Sequence, residues 1–515
     1  GGAGRANVFT RLMLALHGFI PWRAVPVMPV EIMLLPNWFP FHLDKISYWS
    51  RTVIVPLLVL MHKKPVARNP KGVRIDELFL QPPHTLGPAP KAPQQKASWF
   101  WFFRGVDNGL RVAEPYFPKR PRQRAIDRAI AWVIERLNGE DGLGAIFTAM
   151  ANSVMMFDVL GYPEHHPQRA IARKSVEKLL AVHEHEAYCQ PCVSPVWDTA
   201  LAAHALIEAG GAEAEIRLAL GWLCDRQLLD EPADWQIYRP KLAGGGWAFQ
   251  YRNDPYPDLD DTSAVAWAMH RADEGEGPGR YGERIERAAN WLAGMQSRGG
   301  GFGAFDADNT SFYLNEIPFA DHGALLDPPT EDVTGRCVAL FSLLGEQYRK
   351  PLRHALAYLG RKQHKSGAWW GRWGTNYIYG TWSVLAAFEL AGIAANDKRV
   401  RRAVAWLKSV QHADGGFGES NDTYERGGPP PGTGEATPEQ TAWALLALMA
   451  GGEAGSEAVR RGIAWLLREQ GKDGLWHTDR FNAPGFPRVF YLRYHGYSAY
   501  FPLWALARYR NLTGH

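Results

Sequence analysis

Long apolar runs, a high cysteine content and an excess of one charge are all absent from this chain of 515 residues. The longest clean apolar run, TVIVPLLVLM at 52–61, is about half of what a helix needs to span a bilayer, so we do not expect a spanning protein. Four cysteines are too few for a disulfide scaffold and fit a reducing compartment, and no secretory signal is recognisable. With 57 basic and 53 acidic residues, the net charge of +4 is too even to indicate a nucleic-acid partner.

Aromatic residues, in contrast, are plentiful, with 21 Trp, 19 Tyr and 23 Phe. So many rings in a soluble protein call for an explanation beyond the filling of cores. The length predicts about two to four domains. Because the chain starts GGAGRANVF without a Met, already in mid-pattern, we expect a fragment or a processed product.

A short phrase recurs along the chain: an aromatic and an aliphatic residue, three further residues, usually a Gln, and then Gly with usually a second aromatic. Each phrase ends an amphipathic helix, because the Gly cluster stops it, and a more apolar helix follows. This alternation predicts an all-α protein with an outer and an inner ring of helices, an α/α barrel. The irregular spacing of the phrases favours a closed barrel over an open solenoid. The starting aromatics are Trp132, Trp222, Trp291, Tyr358, Trp406 and Trp465.

Acidic residues crowd at the start of one predicted inner helix. The stretch PYPDLDDTSAV at 255–265 places Asp258, Asp260 and Asp261 within four positions, more than one helix cap needs. Carboxylates ~4 Å apart repel by about 4 kcal/mol at an effective dielectric near 20, so at least one should keep its proton at neutral pH. Arg336, one turn past Asp332, is the candidate cation that would stabilise the carboxylate left after proton loss.

Such an acid without a nucleophile beside it suits the protonation of a weak base such as an alkene. The carbocation formed needs walls that stabilise charge without attacking it, and aromatic faces do so by ~2 kcal/mol or more each. A Mg²⁺ site is a weaker interpretation, because no acid stands at 264 or 265 and no Gly-rich phosphate loop is present.

Five adjacent aromatics at 99–103 exceed what one helix face can bury, and basic residues follow them. We expect this element to lie in a membrane interface, with its basic rim toward anionic headgroups. A helix packed between domains is the alternative. The residues are Trp99, Phe100, Trp101, Phe102 and Phe103, followed by Lys119, Arg120, Arg122 and Arg124.

Taken together, these motifs resemble the bacterial squalene-hopene cyclases, a branch of the class II terpene cyclases. The resemblance runs from VFTRLMLALHGFIPW to the C-terminus and is carried by DLDDTS, SPVWDT, DPPTEDVT, GRWGTNYIYGTW and the repeated phrases. It implies two α/α barrel (toroid) domains, the first of them incomplete because an N-terminal segment of the family is missing here. We assign 1–180 to the first domain, with the membrane-interface segment near 98–117, and 181–515 to the catalytic domain.

The resemblance also implies roles for individual residues in the cyclisation of squalene to hopene and hopanol. Asp260 would be the proton donor, Asp258 and Asp261 its supporting carboxylates, with Asp332 and Arg336 close by and Tyr379 as a polar neighbour. Arg336 stands where one branch of the family has His, and a guanidinium cannot relay a proton, so water would recharge the acid. The aromatic lining of the cavity would comprise Trp49, Trp197, Phe249, Phe305, Phe319, Trp373, Phe486, Phe490, Tyr494 and Tyr497.

No cofactor and no metal are expected from this resemblance. It implies a peripheral, monotopic protein at the cytoplasmic face of a bacterial cell membrane and leaves a homodimer open. Three alternatives stand beside it. An α/α-barrel glycoside hydrolase would need two carboxyls about 6.5–9.5 Å apart across a wet cleft. A zinc site would use His183, His185, Cys189 and Cys192. A truncated remnant would bind lipid without turnover.

Overall fold

A computed structural model describes residues 2–229, 232–273 and 279–514. The regular elements of this part of the chain are helices, apart from two short antiparallel hairpins, which confirms the all-α class. The hairpins pair β1 (Leu180–Val182) with β2 (Ala187–Cys189) and β3 (Ala483–Phe486) with β4 (Phe490–Leu492). The α-helices within these ranges are α1 (Val8–Leu16), α2 (Tyr48–Lys63), α3 (Ala97–Ala113), α4 (Lys119–Glu135), α5 (Phe147–Val159), α6 (Pro167–Glu177), α7 (Pro195–Ala209), α8 (Glu213–Cys224), α9 (Leu259–Asp273), α10 (Gly282–Met295), α11 (Glu331–Leu343), α12 (Arg349–Lys362), α13 (Tyr377–Leu390), α14 (Lys398–Val410), α15 (Pro438–Ala450), α16 (Glu457–Glu469) and α17 (Tyr497–Thr513).

The chain forms two compact units. The first contains the described residues up to 193 together with 309–327. The second contains those of 194–308 and from 328 onward. The segment 309–327 therefore leaves the second unit in the middle of its sequence to pack in the first.

Helix α2 is the centre of the first unit. It is buried from Tyr48 through Met61, so the longest apolar run of the sequence is a core helix. It packs on α4 and α5, and α5 packs on α6. The barrel predicted for this unit stays a prediction. Within the described ranges, no helix is both long and apolar enough to cross a membrane.

Six helices of the second unit close a ring. In the order α7, α9, α11, α13, α15 and α17, each contacts the next, and α17 returns to α7. Helices α8, α10, α12, α14 and α16 pack against this ring from outside. The outer helices carry the polar faces and the inner ones are buried nearly all round, as their sequences predict. The α/α barrel is therefore confirmed for this unit.

The recurring Gln ties the outer layer together. Gln363 Nε2 donates to the carbonyl of Gly367, in its own glycine turn, at 2.7 Å and to that of Arg399, at the start of the next outer helix, at 2.8 Å. Gln411 repeats the pattern with Gly415 at 2.9 Å and Ala458 at 2.8 Å. The repeated phrase thus closes one helix and fixes the start of the next.

The inner helices run parallel, so their starts meet at one end of the ring. Arg336, in the second turn of α11, contacts Asp260 in the first turn of α9 and Tyr379 in the first turn of α13 there. Their C-terminal ends meet at the opposite end, where Arg271 bonds Glu208 at 2.5 Å and Arg508 bonds Glu389 at 2.6 Å. A cavity of about 240 Å³ opens between these ends. The acidic motif lies at the other end.

Candidate active site

Asp258 fixes the start of the helix that carries the other two acids. Its Oδ1 accepts the backbone N–H of Asp260 at 2.6 Å and of Asp261 at 3.1 Å, the bonding pattern of a helix cap. The Asp258 N–H donates to the carbonyl of Trp247 at 2.7 Å, which anchors the cap to the preceding loop. One acid of the triplet therefore has a structural role, and two remain for chemistry.

Asp260 forms a buried, two-pronged ion pair with Arg336. Arg336 donates from Nε to Asp260 Oδ1 and from Nη2 to Oδ2, the latter at 2.9 Å, and Nη2 also donates to the hydroxyl of Tyr379. Both partners are almost fully excluded from solvent. Such a fork holds a carboxylate in a single orientation, which a lysine would not do.

Three aromatic rings surround the Arg336 guanidinium. Its central carbon lies 5.0 Å from the ring centre of Trp197, 5.1 Å from that of Tyr379 and 5.6 Å from that of Trp382. At these distances the ring faces attract the cation, and the attraction grows because the site is desolvated. The aromatic cage therefore helps to keep a charged group in a buried position.

Burial and crowding disfavour full ionisation of this cluster. Burial raises the pKa of Asp260, although Arg336 opposes the shift. Burial, followed by the charges of Asp258 and Asp260, raises the pKa of Asp261 well above its ordinary value. Burial would lower the pKa of Arg336, but the Asp260 carboxylate raises it well above its usual range. Both shifts favour a protonated carboxyl in this cluster, next to a permanent cation.

Asp332 is fully buried, and its carboxylate is occupied by backbone groups. Oδ2 accepts the N–H groups of Arg372 and Trp373, each at 2.8 Å, and Oδ1 accepts the N–H of Val333 at 3.0 Å. Asp332 thus holds the loop that carries Trp373.

The predicted lining residues fall into groups. Phe305 packs edge-on against Trp373 at 6.4 Å, and Phe486 packs against Phe490 at 5.3 Å. Trp197, Phe249, Tyr494 and Tyr497 form a third group, in which the Trp197 indole donates to the Tyr497 hydroxyl at 2.8 Å. All eight of these residues belong to the second unit, whereas Trp49 and Phe319 belong to the first and are buried there.

Comparison with known proteins decides the family. Models of the squalene-hopene cyclase N-terminal and C-terminal domains match residues 1–185 and 193–511. A probable squalene–hopene cyclase of Sinorhizobium fredii is 57% identical over 99% of this chain and 80% of that protein. A squalene–hopene cyclase of Bradyrhizobium diazoefficiens is 56% identical over 99% of this chain and 78% of its own length. The chain belongs to the squalene-hopene cyclase family.

Membership of the squalene-hopene cyclase family makes this chain an enzyme of the terpene cyclase type, and the hydrolase and lipid-binding alternatives are not favoured. The N-terminal family model matches 1–185, and the predicted absence of a segment before it stays a prediction. Among solved structures, an ent-copalyl diphosphate synthase from Streptomyces platensis is 16% identical, with a TM-score of 0.47 over 99% of this chain and 96% of that one.

Sequence reasoning missed Trp382, although this squalene-hopene cyclase family member carries it three positions after Tyr379 on one helix. That spacing places two residues on the same helical face, and the rings lie 5.6 Å apart. Arg372 was missed as well, although it lies in the stretch GRWGTNYIYGTW. The described residues hold no group of three or more His, Cys, Asp or Glu arranged to bind a metal, the β1–β2 hairpin with His183 and Cys189 included.

Proposed function

We propose that this chain is a class II triterpene cyclase that protonates a terminal double bond of squalene with Asp260 and directs its cyclisation to hopene and some hopanol. The observation that carries the proposal is the buried Asp260–Arg336 pair, at the end of the ring where the inner helices begin. A family relationship at 57% identity over nearly the whole chain supports squalene as the substrate.

In the first step, the O–H bond of Asp260 breaks as the π electrons of the terminal alkene form a new C–H bond. Positive charge then appears on the more substituted carbon of that alkene. The Asp260 carboxylate left behind accepts hydrogen bonds from Nε and Nη2 of Arg336. This preformed cation makes the acid stronger at the moment of proton transfer, because no group has to reorganise.

In the steps that follow, the remaining double bonds attack the cation in turn, each forming a ring bond and passing the charge onward. Aromatic faces stabilise that charge without forming a bond to it. The Phe305–Trp373 and Phe486–Phe490 pairs are the rings we assign to this role. Loss of a proton ends the reaction as hopene, and capture of water ends it as hopanol.

Recharging of Asp260 requires a proton from outside the pair. Arg336 stays protonated, because the Asp260 carboxylate raises its pKa although burial opposes this. For Tyr379, in contrast, burial raises the pKa, so its hydroxyl does not ionise near neutral pH. We therefore assign the recharging to water next to Asp260.

We propose further that the protein lies on the cytoplasmic surface of a bacterial cell membrane through α3. The exposed face of that helix carries Trp101 and Phe102, with 69% and 54% of their surfaces accessible, followed by Val106 and Val112. Lys119 and Arg124 are exposed just beyond it, where they suit anionic headgroups.

The deciding experiment incubates the purified chain with squalene in detergent and identifies products by mass spectrometry. We expect hopene and hopanol from the unaltered chain. Asp260→Asn, which keeps the side-chain shape but carries no acidic proton, should abolish conversion while leaving the thermal transition in place. Asp397→Asn, at an outer-helix cap, is the matched control and should retain conversion. Cyclisation by the Asp260→Asn variant would refute the assignment of the proton donor.

A further inference from the structure

The Asp332 carboxylate holds the loop that contains Arg372 and Trp373. Among the described residues, the hydrogen bonds that this carboxylate accepts come from backbone N–H groups, two of them from the consecutive residues Arg372 and Trp373 at 2.8 Å each. Two adjacent N–H groups that converge on one oxygen fix the orientation of the peptide between them. Because Asp332 lies in the first turn of α11, the same helix that carries Arg336, this loop is tied directly to the acid cluster.

Arg372 carries that link onward to the β3–β4 hairpin. Its guanidinium donates to the carbonyls of Pro484 at 3.1 Å and Gly485 at 3.0 Å, the two residues just before Phe486. The same guanidinium lies 4.2 Å from the ring centre of Trp373. Arg372 is buried, so these bonds form away from solvent and hold both the strand and the indole.

A further bond ties this loop to the residue before β3, and others tie it to the 421–424 segment. The N–H of Thr375 donates to the carbonyl of Asn482 at 2.7 Å, and the Thr375 hydroxyl donates to Asn421 Oδ1 at 2.6 Å. The Tyr424 hydroxyl donates to the carbonyl of Gly371 at 2.6 Å and lies 3.0 Å from the carbonyl oxygen of Gly374. Loop and hairpin are therefore one hydrogen-bonded body, with Asp332 at one side and Arg372 in its middle.

We propose that Asp332 and Arg372 are positioning residues, which together set the places of the Trp373 and Phe486 rings and so determine how far cyclisation proceeds. This inference rests on the proposed function. Asp332 acts through the 372–373 backbone and Arg372 through the 484–485 carbonyls; neither gives a proton to the substrate. The position of each aromatic side chain matters, because an aromatic face displaced by an ångström stabilises the cation less. Early proton loss from the cation then competes with closure of the next ring of the product.

The first experiment compares the products of Arg372→Met and Arg372→Lys with those of the unaltered chain. We expect Arg372→Met to raise the share of partly cyclised products by roughly fivefold or more, since a small change in competing barriers shifts such a partition strongly. The pH dependence of squalene consumption should stay in place, because the acid cluster is intact. Arg372→Lys keeps the charge and one donor, so its products should lie between those of the other two.

A matched control separates this effect from the loss of any stacked arginine. Arg226 lies 3.6 Å from the ring centre of Trp222, in the same unit but away from the loop and hairpin. Arg226→Met should leave the product pattern unchanged. An unchanged pattern in Arg372→Met, or an equal shift in Arg226→Met, would overturn the role of Arg372.

The second experiment uses two substitutions that remove the same charge from Asp332. Asn retains an oxygen that accepts both loop N–H groups, whereas Ala retains none. We therefore expect Asp332→Asn to keep a product pattern near that of the unaltered chain and Asp332→Ala to shift it as Arg372→Met does. Identical patterns from the two variants would show that charge alone matters and would overturn the positioning role.

Amide hydrogen exchange tests the same point without turnover. The N–H groups of Arg372 and Trp373 should exchange slowly in the unaltered chain and in Asp332→Asn, and faster in Asp332→Ala. Equal exchange in all three overturns the proposal. If the unaltered chain fails to convert squalene, the proposed function falls, and the exchange measurement still decides whether Asp332 orders the loop.

Discussion

At the scale of single residues, the site assigns different work to acids that look alike in the sequence. Asp258 caps a helix, Asp332 holds a loop and Asp260 faces a guanidinium. Asp261 is the most isolated, because its Oδ1 is buried and has no hydrogen-bond partner in the part of the chain that the structure describes. The crowding of acids in the sequence does not show which partner each acid has. The hydrogen bonds in the structure do.

Arg336 is the residue whose loss should weaken the acid most directly. In Arg336→Met, the carboxylate formed by proton transfer would lack its buried cation, so we expect the initial rate to fall by about 10²–10³. Since Arg336 opposes the rise of the Asp260 pKa caused by burial, its removal raises that pKa further, and the high-pH limb of the rate profile should move upward. Initial rates across pH 5–9 measure both effects.

Arg336→Lys is the control for charge without the fork, and it should retain more activity than the Met variant. A rate for Arg336→Met equal to that of the unaltered chain would contradict the role of the pair. The sequence indicated Arg336 from its place one turn after Asp332, and the structure pairs it with Asp260. The sequence did not indicate that Arg372 and Asp332 hold the loop and the hairpin, because partners brought together by ring closure leave no local spacing pattern.

At the scale of elements, the start of α15 carries a buried acid with a separate effect. Burial raises the pKa of Glu439 to about 7. The ionised form is therefore costly in the folded chain, and stability should fall as pH rises from the ordinary glutamate pKa through about 7. Glu439→Gln removes this dependence and still accepts the hydrogen bond that Asn482 donates.

Unfolding by urea at pH 5 and pH 8.5 checks this prediction. We expect Glu439→Gln to gain stability relative to the unaltered chain at pH 8.5 by at most about 3 kcal/mol, and to match it near pH 5. Glu457→Gln, in the exposed first turn of α16, should show no such difference. A gain of the same size at both pH values would exclude ionisation as the cause.

Helix α3 allows a test of membrane attachment. Trp101→Ser with Phe102→Ser removes two exposed rings, which should shift the protein from vesicles to the soluble fraction, since apolar burial drives interfacial binding. Trp99 stacks on buried Phe103 at 5.5 Å and is left in place to preserve the helix packing. Sedimentation with anionic vesicles measures the shift. Unchanged sedimentation would count against α3 as the anchor.

At the scale of the whole molecule, the repeats predicted the ring of the second unit because each phrase is a local signal for one helix end. Helix alternation then followed from the apolar pattern. The return of 309–327 to the first unit was not predictable, since that segment lies between two repeats and its partners are remote in sequence. Nor does any local pattern reveal which helices of the first unit pack together.

The Gln of the repeated phrase should stabilise the ring through its hydrogen bond to the start of the next outer helix. Gln411→Ala removes bonds to Gly415 and to Ala458, whereas Gln470→Ala removes a bond to Gly474 in its own turn. We expect Gln411→Ala to cost about 1–3 kcal/mol of unfolding free energy, because two carbonyls lose their donor, and Gln470→Ala to cost less. Urea unfolding of both variants measures the difference, and equal losses would contradict the linking role.

Six parallel inner helices have an electrical consequence. Each start carries roughly half an elementary positive charge, so the helix dipoles add positive potential at the acid end of the ring. That potential favours Asp260 as an anion and disfavours a cation beside it. The positive charge that protonation creates on the substrate is therefore repelled from Asp260. The same field that strengthens the acid thus favours movement of the charge away from the acid end of the ring.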